Sequence, residues 1–206
     1  MLEGDALAAW LSARAGKLTA SRMRAAVSFK KDGTPTAERS QLMRELLAER
    51  ATGESVRHYV TPAMEFGLVT ENEAKAAYEA HAGVLLSDAG YYDHPTIDGL
   101  GATPDALIGS DGLAEFKVPT SPTYVAWRLA GKIPDEHIPQ MAIQLAATGR
   151  AWCEFVAFDP RQKNPEHRLF IRRYAPTREE IAVYEVAAVK FLDELETMFQ
   201  AFAEAV

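Results

Sequence analysis

GATPDALIGSDGLAEFKVP, residues 101–119, contains two short apolar runs separated by turn-forming residues. The first run, ALIG, begins at Ala106, and the second, LAEFKV, spans residues 113–118. Because Ser-Asp-Gly at 110–112 is typical of a tight turn, the pattern predicts an antiparallel hairpin. Pairing of the two runs would place Asp105, which precedes the first run, alongside the charged part of the second.

The second run carries two charges on one face. Side chains alternate along a strand, so Glu115 and Lys117 point one way and Phe116 points to the expected core face. Together with Asp105 they would form a set suited to phosphodiester cleavage, because carboxylates bind Mg²⁺ or Mn²⁺ and an ammonium can orient the attacking water and offset charge on the phosphate. The spacing alone also allows a simpler interpretation, a solvated edge strand with a Glu–Lys pair of no function.

The composition is that of a globular protein of 206 residues, long enough for one domain with a sizeable core. Its single cysteine, Cys153, excludes a disulfide within the chain and a cysteine-based zinc site. The first residues lack the apolar core of a signal peptide, and no apolar run approaches the ~20 residues that cross a bilayer. We therefore expect a cytoplasmic protein.

The net charge of -7 argues against a general nucleic-acid coat but does not exclude a nuclease, whose metal-binding carboxylates add negative charge.

Helix and strand patterns follow one another along the chain. An antiparallel meander is predicted over 84–118, and further strands are predicted over 152–158 and 169–174. Helices are predicted over 5–15, 36–52, 62–82, 121–130, 135–148 and 177–204. The order predicts an α/β (α+β) fold, with a central mixed β-sheet flanked by helices and an N-terminal helical segment.

Two of these helices carry polar residues that permit two interpretations. The helix over 62–82 contains Glu71 and Glu73, which by themselves fit a solvated face. The helix over 135–148 has a polar stripe at i, i+3 and i+7, formed by His137, Gln140 and Gln144. This stripe is either a polar outer face or a set of side chains that reaches a phosphate or the water that attacks it.

Several segments, in their order along the chain, resemble the phage-type alkaline exonucleases. They are FGLVTENEAKAAYEAHAGV, ATPDALIGSDGLAEFKVP, a glutamine-containing helix ending in LAATG, and AWCEFVAFDP. The resemblance is to lambda exonuclease and the YqaJ-like viral recombinase nucleases, a branch of the restriction-endonuclease-like PD-(D/E)xK superfamily, and it extends from about Trp10 to the last helix. The T-P-D…E-F-K core is the superfamily signature. Its combination with the upstream glutamate helix and the downstream glutamine helix is more specific to this branch.

The resemblance implies a metal site on the predicted hairpin. Asp105 and Glu115 would bind Mg²⁺, with Mn²⁺ as a substitute and two ions expected. The backbone carbonyl of Phe116 would be a further ligand, and Glu71, which matches the helix glutamate of the family, would help to hold a metal ion. Lys117 would position and activate the attacking water.

Two regions depart from the family pattern. Gln140 matches the first glutamine of the Q-x-Q pattern and would take part in catalysis, but Ala142 stands at the second position and Gln144 follows two residues later. The sequence leaves open which amide acts. The family also has an acidic residue near Asp93 and Asp98, but the spacing to TPD differs and leaves both unassigned.

The segment AWLSARAGKLTAS, residues 9–21, is similar to the part of these enzymes that holds the terminal 5′-phosphate. By this resemblance Arg14 would be the main charge partner of the phosphate, and Ser21 would donate a hydrogen bond to it. Met64 stands where the family uses an apolar wedge against the base pairs, although a buried core methionine would fit the sequence as well.

Taken together, the resemblance implies a Mg²⁺-dependent 5′→3′ exonuclease that degrades one strand of linear double-stranded DNA from a 5′-phosphorylated end and leaves a 3′ overhang for recombination by strand annealing. Residues 1–206 would form a single exonuclease domain, in which about 1–60 hold the DNA end and about 61–206 form the nuclease core. The expected partners are double-stranded DNA ends, a single-strand annealing protein and two further copies in a homotrimeric ring. The protein would be cytoplasmic and of phage, prophage or bacterial origin.

The alternatives are a RecB-type or other PD-(D/E)xK nuclease of different polarity or endonucleolytic action, and a non-catalytic DNA-end-binding module.

Overall fold

The computed structural model describes residues 11–56 and 61–205, without the side chains of residues 63 and 64. The helices are α1 (Met23–Ala26), α2 (Ala37–Thr52), α3 (Pro62–Ala82), α4 (Ser121–Ala130), α5 (Ile138–Thr148) and α6 (Arg178–Glu204). The last five lie close to predicted ranges, and the short α1 has no counterpart among them. Of the helix predicted over 5–15, residues 11–14 are helical, and residues 5–10 lie outside the described part of the chain.

Local side-chain chemistry sets the ends of the long helices. Thr36 precedes α2 and its hydroxyl accepts a hydrogen bond from the backbone N–H of Arg39 at 3.2 Å. Thr177 precedes α6 and forms a reciprocal capping box with Glu180. The boundaries of these helices were therefore predictable from the sequence.

The strands form two sheets rather than one meander. They are β1 (Leu18–Thr19), β2 (Leu86–Ser87), β3 (Tyr92–Asp93), β4 (Leu100–Ala102), β5 (Ala106–Ile108), β6 (Gly112–Lys117), β7 (Trp152–Phe158) and β8 (Leu169–Tyr174). A three-stranded sheet has the order β1-β4-β3, and a five-stranded mixed sheet has the order β2-β5-β6-β7-β8. The prediction of a single meander over 84–118 was wrong, because β4 pairs in parallel with β1 from the N-terminal segment and so leaves the sheet of its chain neighbour β5.

The charged strand β6 lies in the centre of the five-stranded sheet. It pairs with β5 in antiparallel and with β7 in parallel orientation. Glu115 on this strand is 0% exposed. The interpretation of a solvated edge strand is therefore wrong, because β7 covers the edge after a crossover through α4 and α5 that strand periodicity cannot reveal.

Helices cover both faces of β6. On one face, Ala114 and Phe116 pack with Ala74 and Tyr78 of α3, and the rings of Phe116 and Tyr78 meet edge to face at 5.8 Å. On the other face, Leu113 shares a core cluster with residues of α5. This helix–sheet–helix arrangement, a mixed sheet flanked by helices, is the predicted fold.

The N-terminal segment shares a core with the last helix. This cluster of fully buried side chains includes Leu18, Met23, Leu46, Leu100, Ile143 and Phe191. The segment around β1 and α1 is therefore fixed against α5 and α6. Within the described residues, no helix is both long and apolar enough to cross a bilayer.

Candidate active site

The β5–β6 hairpin brings Asp105 next to Glu115. Asp105 directly precedes β5, whose first residue, Ala106, lies opposite Ala114 of β6. The Oδ2 atom of Asp105 accepts a hydrogen bond from the backbone N–H of Phe116 at 2.7 Å. The structure thus assembles the charged set on the hairpin, and the catalytic role of its members stays a prediction.

Glu115 is the centre of a buried polar cluster. Its Oε1 atom accepts hydrogen bonds from the Nζ atom of Lys117 and, at 2.6 Å, from the Nε2 atom of Gln140. Its Oε2 atom accepts a hydrogen bond from the Nε2 atom of Gln144 at 2.5 Å. Gln140 and Gln144 are one turn apart on α5, so both amides reach the same carboxylate. These donors offset the free-energy cost of burying the charge.

The two carboxylates of the hairpin repel each other. Burial, followed by the charge of Glu115, raises the pKa of Asp105 well above its ordinary value, and Lys117 opposes this shift. Burial alone would lower the pKa of Lys117, but the charges of Glu115 and Asp105 outweigh it and hold the pKa above its ordinary value. Lys117 is therefore an ammonium in this cluster.

Glu71 lies on α3, close enough for its charge to raise the pKa values of Asp105 and Lys117. Its Oε1 atom pairs with the Nζ atom of Lys75 at 2.7 Å. Glu73, the neighbouring alternative, is exposed. The side chain of Met64 lies outside the described residues, so the predicted wedge stays a prediction.

A cavity of about 250 Å³ opens beside this cluster. Lys117 and Gln140 line it from the nuclease core, and Ser21 lines it from the N-terminal segment. Arg14 in the same segment is half-buried next to Arg22; burial, followed by the charge of Arg22, lowers the pKa of Arg14. The structure therefore brings Ser21 to the cavity that Lys117 faces. Arg14 and Arg22, two neighbouring arginines of the same segment, are not among the residues that line this cavity.

The chain matches known proteins in sequence and in fold. A family model of the YqaJ-like viral recombinase domain matches residues 9–151. The chain belongs to this family. Among solved structures it is similar to an alkaline exonuclease, LHK-Exo, from Laribacter hongkongensis, with 37% identity, a TM-score of 0.86, and coverage of 95% of this chain and 96% of that chain. Family and neighbour together indicate a nuclease.

Two further structures extend the comparison. LHK-Exo in complex with dAMP matches with 36% identity and a TM-score of 0.87, covering 95% of both chains. A phage-related exonuclease from Haemophilus somnus matches with 15% identity and a TM-score of 0.62, covering 88% of this chain and 96% of that chain, and this likeness supports the fold alone. No match was found among curated protein sequences.

His137 joins the site of this YqaJ-like protein as a neutral imidazole. It lines the same cavity, and its ring lies 5.2 Å from that of Phe155 and 5.3 Å from that of Trp127. Burial, followed by the charges of Lys117 and Arg24, lowers the pKa of His137 to about 4. His137 directly precedes α5, and the polar stripe that it forms with Gln140 and Gln144 is the sequence signal that indicated it.

Thr103 was missed by sequence reasoning. It lies two residues before Asp105, and its hydroxyl is buried without a hydrogen-bond partner among the described residues. A buried hydroxyl without a partner carries a free-energy cost, so its position beside Asp105 marks it for mutational testing. The sequence signal for Thr103 was its place as the first residue of the T-P-D motif.

The other acidic candidates have local structural partners. The Oδ1 atom of Asp93 accepts a hydrogen bond from the Nζ atom of Lys17 at 2.8 Å, and Asp98 accepts one from the N–H of Gly99 at 2.9 Å. Asp93 and Asp98 thus have their partners outside the Glu115 cluster.

Cys153 is fully buried, and burial raises the pKa of its thiol well above the ordinary value, so it is unreactive.

The donors at the site fit a hard divalent cation. Within the described residues, no three His, Cys, Asp or Glu side chains already stand together as a metal-binding group. The oxygen donors at hand are the carboxylates of Asp105, Glu115 and Glu71 and the backbone carbonyl of Phe116, which are ligands that Mg²⁺ and Mn²⁺ prefer. The mutual repulsion of Asp105 and Glu115 would be relieved by such an ion.

Proposed function

We propose that the protein is a metal-dependent 5′→3′ exonuclease that degrades one strand of linear double-stranded DNA from a 5′-phosphorylated end and leaves a 3′ overhang for recombination by strand annealing. The observation that carries the proposal is that Lys117, bound to Glu115, and Ser21 of the N-terminal segment line one small cavity. A DNA end held by that segment would present a phosphodiester to the charged cluster at a short, fixed distance from the end. Such an arrangement favours stepwise removal of nucleotides over internal cleavage.

The polarity of the proposal rests on Arg14 and Ser21. Arg14 and Arg22 are close enough for their charges to interact, and Arg14 is half-buried. Two neighbouring guanidinium groups suit a doubly charged anion such as a terminal phosphate, because their planar N–H donors match its oxygens. Ser21 adds a neutral hydroxyl donor on the wall of the cavity. A 5′-phosphate is therefore the end group that we expect this segment to bind.

The core residues have distinct tasks in this reaction. Lys117, held as a cation by Glu115, would orient the attacking water and offset the negative charge that develops on the phosphate. Gln140 touches both the cavity and Glu115, so it would fix the carboxylate while facing the substrate. Gln144 is fully buried and would support Glu115 from behind.

Asp105, Glu115, Glu71 and the backbone carbonyl of Phe116 would hold Mg²⁺, or Mn²⁺ in its place, with two ions expected. When bound, the metal supplies Lewis-acid chemistry, which makes water a better nucleophile at neutral pH and stabilises charge on the phosphate. The proposal includes a homotrimeric ring around the DNA and a single-strand annealing protein as partner. A ring reconciles the net charge of -7 with DNA binding when basic residues face the channel and acidic residues face outward.

The test uses a linear duplex with one 5′-phosphorylated and one 5′-hydroxyl end, with each strand carrying a different label. Wild type and Lys117→Ala are compared with Mg²⁺ and with EDTA, and Lys163→Ala, an exposed lysine, serves as the control. We expect only the 5′-phosphorylated strand to shorten, stepwise to mononucleotides, and both EDTA and Lys117→Ala to abolish the reaction.

Other outcomes separate the alternatives. Internal cleavage or degradation from the 3′ end would overturn the polarity and indicate another PD-(D/E)xK activity. Binding of duplex ends without any cleavage in either metal would indicate the non-catalytic end-binding module. Unchanged cleavage by Lys117→Ala would remove the proposed catalytic cluster.

A further inference from the structure

Glu49, near the end of α2, binds the N-terminal segment although it is remote from it in sequence. Its Oε2 atom accepts hydrogen bonds from the N–H of Gly16 at 2.9 Å and from Arg22 at 3.2 Å. Its Oε1 atom accepts hydrogen bonds from Arg22 at 2.8 Å and from the N–H of Val56 at 3.1 Å. Glu49 is only 1% exposed. The carboxylate is therefore a buried junction between α2, the turn at Gly16 and the start of α1.

Arg50 holds the same turn from the next position. Its Nε atom donates a hydrogen bond to the carbonyl of Gly16 at 3.2 Å, so α2 binds both backbone polar groups of Gly16. Gly16 has a φ of 70°, and a Cβ atom there would lie 2.7 Å from the Cγ atom of Arg50. Because the turn requires a positive φ and leaves no room for a side chain, its position relative to α2 is fixed.

The turn lies between the two arginines of the proposed end-binding segment. Arg14 precedes it by two residues, and Arg22 follows it and forms the two-pronged pair with Glu49. The carbonyl of Arg14 accepts a hydrogen bond from the N–H of Lys17 in this turn, which Glu49 holds through Gly16. The charges of Arg22 and Glu49 both act on Arg14, the first lowering and the second raising its pKa. Two adjacent cations repel, and the carboxylate between α2 and the segment offsets that repulsion.

We propose that Glu49 is a positioning residue, which holds Arg14 and Arg22 in the orientation that receives the terminal 5′-phosphate of the DNA. The inference rests on the proposed function of this segment. Glu49 itself does not touch the substrate, because its oxygens are occupied by Arg22 and by backbone amides. Its effect passes through the two arginines.

The test compares Glu49→Gln with wild type on duplexes that differ only in a 5′-phosphate or a 5′-hydroxyl end. Because a charge-assisted, two-pronged pair is replaced by neutral hydrogen bonds, we expect the preference in kcat/KM for phosphorylated ends to fall by about ten-fold, mainly through KM. Glu49→Asp, which keeps the charge, should retain part of the preference. Glu54→Gln, an exposed glutamate five residues further on, is the matched control and should keep all of it.

The outcomes distinguish the inference from the function on which it rests. A folded Glu49→Gln protein with the wild-type preference for phosphorylated ends overturns the positioning role and leaves the exonuclease proposal intact. Absence of any end preference in the wild type overturns the proposed polarity itself, and the positioning role with it. If Glu49→Gln does not fold, Glu49→Asp decides, because it keeps the charge but is too short to reach all the partners of Glu49. A folded Glu49→Asp protein with the full wild-type preference overturns the inference.

Discussion

Glu115 and Glu49 are both buried carboxylates, with exposures of 0% and 1%, but different kinds of donors surround them. Glu115 is held by the side chains of Lys117, Gln140 and Gln144. Glu49 is held by backbone amides as well as by an arginine. Side-chain donors can rotate away when an ion or a substrate arrives, whereas backbone amides can leave only if the chain moves. The contrast is the one that we expect between a site that exchanges partners during catalysis and one that fixes a segment.

Glu115→Gln should give the largest effect on activity. The change keeps the shape but removes the charge. We expect kcat to fall by about 10³-fold or more, because the proposed metal binding and the placement of Lys117 would both depend on that charge. The melting temperature in EDTA should change little, because the relieved repulsion with Asp105 offsets the loss of the ion pair with Lys117. Strand degradation and calorimetry measure the two effects, with the exposed Glu166→Gln as control. Near-normal activity, or a large loss of melting temperature, would mean that Glu115 resembles Glu49 more than we infer.

Gln140→Ala and Gln144→Ala should differ. Gln140 is half-buried and lines the cavity, so its loss should lower kcat by about 10²-fold. Gln144 is fully buried and so would not touch the substrate; its loss should lower kcat by about ten-fold at most. Its Oε1 atom has no partner among the described residues, so its removal breaks only the bond to Glu115. Single-turnover rates and urea denaturation of both variants give the comparison. The reverse order of the two rates would assign the catalytic amide to Gln144.

Glu49→Ala should mainly reduce stability. It leaves the N–H groups of Gly16 and Val56 and the guanidinium of Arg22 without their carboxylate, so we expect the free energy of unfolding to fall by about 3 kcal/mol at neutral pH. Burial would raise the pKa of Glu49, but the hydrogen bonds from Arg22, Gly16 and Val56 hold it below its ordinary value.

Because the pKa of Glu49 is lowered in the folded state, the stability lost in Glu49→Ala depends on pH. A carboxylate whose pKa is lower in the folded state stabilises fully above the ordinary pKa of glutamate, about 4.3, and loses this contribution as the pH falls towards the folded-state value. Urea denaturation should therefore show the difference between wild type and Glu49→Ala narrowing in acid. A difference that is constant with pH would mean that packing, rather than the charge of Glu49, holds the segment.

The local part of the active site was predictable from sequence. The turn at 110–112 and the alternation of Glu115 and Lys117 are features of neighbouring residues, and they correctly predicted the hairpin that carries Asp105. The two glutamines of the predicted stripe are one helical turn apart and meet one carboxylate, whereas His137, its third member, lines the cavity just before α5.

The parts that sequence reasoning missed depend on contacts between distant residues. The central position of β6 depends on parallel pairing with β7, and the split of the meander depends on β1. Glu49 lies 33 residues from Gly16 in sequence, and on α2 it resembles any other helical glutamate. Only the packing of the N-terminal segment against α2 and α6 turns it into a buried junction.

Ser21→Ala should give the smallest effect. Ser21 is exposed on the cavity wall and can offer the phosphate one neutral hydrogen bond, which corresponds to about a five-fold rise in KM for 5′-phosphorylated ends with little change in kcat. Ser110→Ala, in the exposed turn of the hairpin, is the control. An unchanged KM would place the terminal phosphate away from this wall, next to Arg14 and Arg22 only. A loss as large as that of Glu49→Gln would instead mean that the hydroxyl orients the phosphate together with the arginines, so that the segment acts as one unit whose geometry α2 imposes.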